Sequence, residues 1–270
     1  MSEFHNNGSL ILENFKSDEE LESLRTATMN LISDFDLTSH TEIFRDSSGR
    51  DATEYFLSSG DKISYFFETG AFGEDGLLKV KPEHCINKLG HAMHDLHPVF
   101  DKFSRDPRLE EISRDIGVTE PEIWQSMYIF KQPRIGDQVD WHQDATFFTT
   151  RPNTVKAFWF AVDDATQENG CLWVAKKCSQ LRQQFIVENA QSSMKSLDDE
   201  AWPELEDAIP LEVSAGSLIV FDGLLPHFSS PNTSNFSRHA YTLHVVDAES
   251  EYSKQNWLQR KASFPVRGFR

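Results

Sequence analysis

Cysteine is scarce. Cys85, Cys171 and Cys178 are the only three in 270 residues. That is an odd number and far too few for a disulfide-stapled scaffold, so reduced thiols in an intracellular, cytoplasmic setting are expected. Basic residues are in deficit too. Lys and Arg number 26 against 43 Asp and Glu, a net charge of −17, with no local basic cluster to offset it. A surface this acidic repels polyanions, which speaks against nucleic acid or a membrane as partner. No stretch approaches the roughly 18 apolar residues of a membrane span. Residues 1–15 show no basic stretch ahead of an apolar run, so no secretory signal is expected. Gly-x-Gly-x-x-Gly, P-loop and Gly-x-Ser-x-Gly motifs are missing, which leaves nucleotide-fold and serine-hydrolase readings without support. Repeats and long Pro/Gly/Ser linkers are also missing, so one domain over residues 1–270 is expected.

What is present is aromatic and strand-rich. The 21 Phe and 6 Trp suit a globular core. Ser17 and Glu20 form a capping box ahead of a helical repeat (Leu21, Leu24, Thr28, Leu31, Ile32, Phe35), predicting a helix over 18–35. Ile63–Glu68 reads as a strand, Lys88–Ser104 as a helix interrupted before Pro98, and Arg108–Ile116 as a helix stopped by Gly117. From residue 121 short strands dominate: 122–131, 155–163, 171–175, 209–213, 218–222 and 238–247. Residues 179–207 are polar and read as a partly helical insertion or lid. A helical part over about 1–120, followed by closely spaced strands over about 121–250, predicts a mainly β fold with flanking helices, a small antiparallel barrel or jelly roll.

The chemistry concentrates in the strand-rich half. In His142-Gln143-Asp144 the His and Asp are two apart, so on a strand both face the same way and can reach one metal ion. His227 lies 83 residues after Asp144, and Arg238 eleven residues further. Two His and one carboxylate are the facial triad of a non-haem Fe(II) oxygenase with three coordination positions open. An Arg nearby can bind the far carboxylate of a 2-oxo diacid in bidentate fashion. Ordinary hydrogen-bonded histidines of a β protein fit the same spacing, and the residue pattern alone leaves both readings open. His91, His94 and His97 are expected on one face of the 88–104 helix, hydrogen-bonded or solvated, because no Cys or carboxylate completes a zinc set.

Longer segments resolve the choice. Tyr55–Lys62 (YFLSSGDK), Ile86–His94 (INKLGHAMH), Gln125–Pro133 (QSMYIFKQP), His142–Ala145, Glu168–Trp173 (ENGCLW) and Asn256–Leu258 resemble the phytanoyl-CoA dioxygenase family over nearly the whole chain. The resemblance implies a double-stranded β-helix (cupin-like jelly roll) core and an Fe(II)- and 2-oxoglutarate-dependent dioxygenase. Such an enzyme oxidises an aliphatic C–H of a small-molecule substrate with O2, releasing succinate and CO2. Within that family pattern His142, Asp144 and His227 are the metal ligands, while Arg238, Lys88, Met127, Trp159 and Ser229 contact 2-oxoglutarate. Asp144 further implies hydroxylation, or demethylation or desaturation by the same oxidant, rather than halogenation, since related halogenases carry a small residue there. A non-catalytic scaffold would have no need of all three ligands, and a cupin-like isomerase or hydrolase would leave Arg238 and Lys88 without a task. One departure stands out: residues 174–179 read Val-Ala-Lys-Lys-Cys-Ser where relatives commonly carry Pro-Gly-Ser-His. Substrate contacts are therefore not carried over.

Overall fold

Ser17 caps the first long helix as predicted: its hydroxyl accepts from the Glu20 amide while the Glu20 carboxylate accepts from the Ser17 amide. The computed structural model describes residues 2–37, 42–43, 52–175, 178 and 180–270. Along the chain run α1 (Ser2–Asn7), β1 (Ser9–Leu12), α2 (Asp18–Ser33), α3 (Glu54–Leu57), β2 (Ile63–Phe67) and β3 (Ile86–His91). Then come α4 (Met93–Leu96), α5 (Pro98–Ser104), α6 (Pro107–Asp115), β4 (Pro121–Ile129), β5 (Val139–His142) and β6 (Thr150–Arg151). After them follow β7 (Lys156–Ala161), β8 (Leu172–Val174), β9 (Gln183–Glu188), β10 (Gln191–Ser196) and β11 (Ile209–Leu211). The last are β12 (Leu218–Asp222), β13 (His227–Ser229), β14 (Ala240–Asp247), β15 (Glu251–Tyr252) and β16 (Arg267–Gly268).

Two antiparallel sheets make the double-stranded β-helix. The larger runs β1-β12-β7-β14-β4-β3-β2, with β16 also beside β4; the smaller runs β11-β8-β13-β5. From β11 to β14 successive strands alternate between the two sheets, as do β4 and β5 and β7 and β8, which wraps them into a jelly roll. All eight residues of β14 are buried because both faces of the larger sheet are covered. Tyr241, Leu243 and Val245 point outward into a core shared with Leu24, Phe100, Phe103 and Leu109 of the helices. The alternate residues face the smaller sheet, where Ala157, Trp159, Ile219 and Phe221 meet Leu172, Val174 and Leu225. Lys16, buried, ties the helices together: its ammonium lies 2.9 Å from both Glu20 in α2 and Asp106, the N-cap of α6.

Four expectations change. The segment from Lys88 is not a helix: Ile86–His91 is β3, hydrogen-bonded between β2 and β4. Six consecutive buried residues gain strand pairing on both sides there, which outweighs local helical spacing. Helix resumes only at Met93. The supposed histidine face is thereby divided: His91 ends a strand, buried His94 bonds Ser126 and the Ile123 carbonyl, and His97 caps α5. The helical first part also contributes β1, β2 and β3 to the larger sheet, so the split near residue 120 is not one between helices and strands. Finally, the 179–207 segment, whose residue 179 lies outside the described residues, holds a β-hairpin, β9–β10, turning at Asn189 and Ala190, both in the left-handed region (φ 51° and 63°). Its only helical piece among the described residues is a single 3₁₀ turn, Leu205–Asp207.

Leu24 is fully buried between helix and sheet. Leu24→Ala should lower unfolding free energy by about 2–5 kcal/mol, and Ser17→Ala by about 1 kcal/mol, both read by urea denaturation. Equal effects would show that the cap, not the helix–sheet core, anchors α2.

Candidate active site

The smaller sheet supplies both histidines. His142 ends β5, His227 begins β13, and the two are direct cross-strand partners with ring centroids 4.1 Å apart. Asp144 is not on the strand, as the spacing had suggested. It opens a 3₁₀ turn, Asp144–Thr146, that swings the carboxylate back under the histidines. The turn is fixed from below, where the Ala145 amide donates to the Gly223 carbonyl at 2.9 Å. A side chain at 223 would put its Cβ 2.6 Å from Val155 Cβ, so only glycine lets the two segments approach. Gln143, between the ligands, is wholly buried and spends its amide on the same task. Its Nε2 donates to the Gln180 and Leu224 carbonyls (2.9 and 2.6 Å), and its Oε1 accepts from the Arg182 amide (2.9 Å).

The donor set fits a first-row divalent metal. One ligand atom from each of His142, Asp144 and His227 lies within 4.8 Å of the others. Asp144 Oδ1 is 3.7 Å from His142 Nε2 and 3.8 Å from His227 Nε2. Each histidine turns its other nitrogen to a carbonyl: His142 Nδ1 to Asp140 at 2.8 Å, and His227 Nδ1 to Leu225 at 3.0 Å. A carbonyl only accepts, so Nδ1 carries the proton and Nε2 presents its lone pair toward Asp144, the arrangement of metal-bound histidines. Burial, reinforced by His142, pushes the His227 imidazole down to about 4, so it is neutral at physiological pH. Burial alone would raise the Asp144 carboxyl. The imidazoles of His244, His227 and His142 outweigh it and hold the group well below the usual carboxylate range.

A cavity of about 510 Å³ opens from these ligands between the two sheets. One cross-strand row of the larger sheet faces it: Met127, Thr242 and Trp159 are register partners on β4, β14 and β7. The next row is Gln125, His244 and Ala157. Arg238, 2% exposed, lies with its guanidinium 5.2 Å over the Trp159 ring, and burial lowers it to about 10. Its Nε and Nη1 have no hydrogen-bond partner. Lys88 Nζ is 3.8 Å from Met127 Sδ and 5.4 Å from the Phe66 ring centre. Ser229 Oγ accepts from Lys131 Nζ at 2.9 Å. All eight residues singled out from the sequence therefore line this one cavity. Sequence reasoning missed His244, Gln143, Lys131 and the aromatic wall of Phe56, Phe147, Phe148, Phe185 and Trp257. His244 alone left a signal, an even-number spacing from Arg238 that would put both on one face of the expected 238–247 strand; in the structure Arg238 precedes β14.

A double-stranded β-helix with two histidines and an aspartate at one point defines the mononuclear Fe(II)- and 2-oxoglutarate-dependent oxygenases. The profile described as Phytanoyl-CoA dioxygenase (PhyH) matches residues 4–240, and the chain belongs to that family. It is 40% identical over 275 residues to a phytanoyl-CoA dioxygenase domain-containing protein 1 homolog of Dictyostelium discoideum, covering 98% of this chain and 97% of that protein. It is 42% identical over 264 residues to phytanoyl-CoA dioxygenase 1 of Oryza sativa subsp. japonica (96% and 92% covered). Among solved structures, EctD from S. alaskensis in its apoform superposes with a TM-score of 0.63 at 18% identity, covering 97% of this chain and 81% of that one. The carbocyclase SnoK from nogalamycin biosynthesis gives 0.64 at 14% identity (97% and 93% covered). The chain is thus a 2-oxoglutarate-dependent dioxygenase acting on a small organic substrate.

Asp144→Ala removes the only anionic ligand of the triad. Fe(II) affinity should fall by more than the roughly 10- to 100-fold typical of losing an outer-shell partner. Succinate formation from 2-oxoglutarate should fall with it, while the far-ultraviolet dichroism of the fold is kept. Turnover equal to the parent's would remove Asp144 from the metal site.

Proposed function

We propose that this chain works as one catalytic unit that hydroxylates an aliphatic C–H of a small, chiefly apolar molecule, with Arg238 as the anchor for 2-oxoglutarate. The observation that carries the Arg238 role is its buried guanidinium with two unpartnered donors. A buried cation without a partner is strongly unfavourable, and a dicarboxylate supplies the missing anion through paired N–H···O bonds. In this reading the distal carboxylate meets Arg238, and Ser229, whose own hydroxyl proton is not used toward Lys131, donates beside it. Met127 and Trp159 flank the carbon chain from one sheet row, and Lys88 adds positive potential on the same side.

Iron, when bound, supplies the redox chemistry by which substrate, O2 and 2-oxoglutarate yield hydroxylated product, succinate and CO2. The residues around it orient and exclude water. Phe147, Phe148, Phe185 and Trp257 form the wall a substrate meets, which supports a chiefly apolar substrate. Asp144 fills the place that a halide would need, which supports hydroxylation. No helix of the described residues is long and apolar enough to cross a membrane. The three free cysteines support a reducing, cytoplasmic compartment.

Arg238→Ala should weaken 2-oxoglutarate by roughly 30- to several-thousand-fold, the effect of breaking a buried bidentate pair. Fe(II) affinity should change far less. Anaerobic titration of the iron-loaded protein, followed by the visible band of a 2-oxo acid on Fe(II), reads both. Unchanged 2-oxoglutarate affinity would exclude Arg238 as the anchor.

A further inference from the structure

The two oxygens of Asp144 have different surroundings. Oδ1 faces the Nε2 atoms of both ligand histidines, at 3.7 and 3.8 Å. Oδ2 is buried, has no formed hydrogen bond, and lies 3.3 Å from Nε2 of a third imidazole, His244. That residue comes from the opposite sheet. It sits mid-β14 between Gln125 and Ala157, and the small Ala157 leaves room for its ring. Phe148 stacks on the ring at 4.9 Å and 25°, which fixes its plane. The other nitrogen, Nδ1, is buried with no partner, so Nε2 is the one that has an acceptor within reach.

We propose that His244 is a positioning residue for the iron-binding carboxylate: its Nε2–H holds Asp144 Oδ2, so that the metal receives Oδ1 alone. The inference rests on the triad being the iron centre. A carboxylate held by one oxygen occupies one coordination position, whereas a carboxylate free to rotate can take two. The triad leaves three positions, which a chelating 2-oxo acid and dioxygen together require. A second oxygen from Asp144 would compete directly with them. The 3.3 Å approach is loose for a hydrogen bond, as such contacts often are before the ligands are drawn together. His244 does not replace a ligand; it limits what a ligand can do.

The test compares the parent with His244→Gln, His244→Asn and His244→Phe. Gln carries its amide donor to about where Nε2 stands, Asn falls one methylene short, and Phe keeps the stacking on Phe148 without any donor. Each protein is titrated anaerobically with Co(II), an oxygen-inert stand-in for Fe(II), and then with 2-oxoglutarate. The visible Co(II) spectrum reports both steps, and melting of the metal-free proteins reports the fold. Asn and Phe should lose about 10- to 100-fold in metal affinity, the usual effect of removing an outer-shell partner. They should also bind 2-oxoglutarate more weakly and alter the Co(II) spectrum, and Gln should restore all three toward the parent. Parent-like binding by Asn and Phe overturns the inference alone. So does an equal loss in all three variants, which would assign His244 to packing. A parent that takes up no Co(II) overturns the iron-centre reading and the inference with it. If Phe fails to fold, the Gln–Asn contrast decides by itself.

Discussion

The register between β5 and β13 is the constraint on which the chemistry depends. It sets His142 opposite His227 across a strand pair, so the two imidazoles meet. A slip of one residue would turn one of them to the other face of the sheet. The register is held locally from both sides. β13 also pairs with β8, and the turn after β5 is pinned by Gly223 and by the three hydrogen bonds of Gln143. Asp144 then needs only a 3₁₀ turn to come under both rings. The larger sheet adds the rest by simple alternation: Thr242 and His244 on one strand, with Met127 and Trp159 as neighbours across the row.

This frame also fixes protonation before any metal arrives. Burial keeps the His227 imidazole neutral, and the surrounding imidazoles keep the Asp144 carboxyl ionised against its own burial. Both groups are thus in the form that a divalent cation binds, so uptake need displace few protons. Burial depresses the Arg238 guanidinium, which lines the same cavity, to about 10, still charged at neutral pH. On the proposed reading, a dianion bound there would be held by the metal and by this fixed cation. Low surrounding polarity strengthens both contacts.

Residue types at fixed spacing marked His142, Asp144, His227 and Arg238 as candidates, and the longer family-like segments decided between iron ligands and ordinary histidines. Strand character was less legible where tertiary burial decides it. β3 reads INKLGH, a mixed pattern with no clean alternation, because Lys88 and His91 turn to the cavity while Ile86 and Leu89 pack in the main core. The β9–β10 hairpin was hidden by its polarity. Its four apolar residues, Phe185, Ile186, Val187 and Met194, are outnumbered by Gln, Ser, Glu and Lys. His244 escaped because a lone histidine amid Leu243 and Val245 looks like core. Its partner is 100 residues away in sequence, and only the closed jelly roll brings the two within 3.3 Å.

The division of labour between elements follows from the same geometry. His142, His227 and the Met127–Thr242–Trp159 row stand on the two core sheets, with Asp144 on the turn after β5 and Arg238 just ahead of β14. The aromatic wall does not: Phe56 comes from α3, Phe147 and Phe148 from the ligand turn, Phe185 from the hairpin, and Trp257 from the segment after β15. The hairpin forms a two-stranded sheet of its own, joined to the ligand turn through the Arg182 amide on Gln143. Arg182 is anchored in turn by Asp198 and by the Trp202 ring, 4.5 Å away. On the proposed reading, Phe56, Phe185 and Trp257 bring peripheral segments to the wall that meets a substrate, whereas Phe147 and Phe148 adjoin Asp144 itself. The hairpin nonetheless reaches the metal ligands through one buried glutamine, so a change in how it docks is felt first at Asp144. On the proposed reading, the core holds the oxidation chemistry while the segments laid over it meet the substrate.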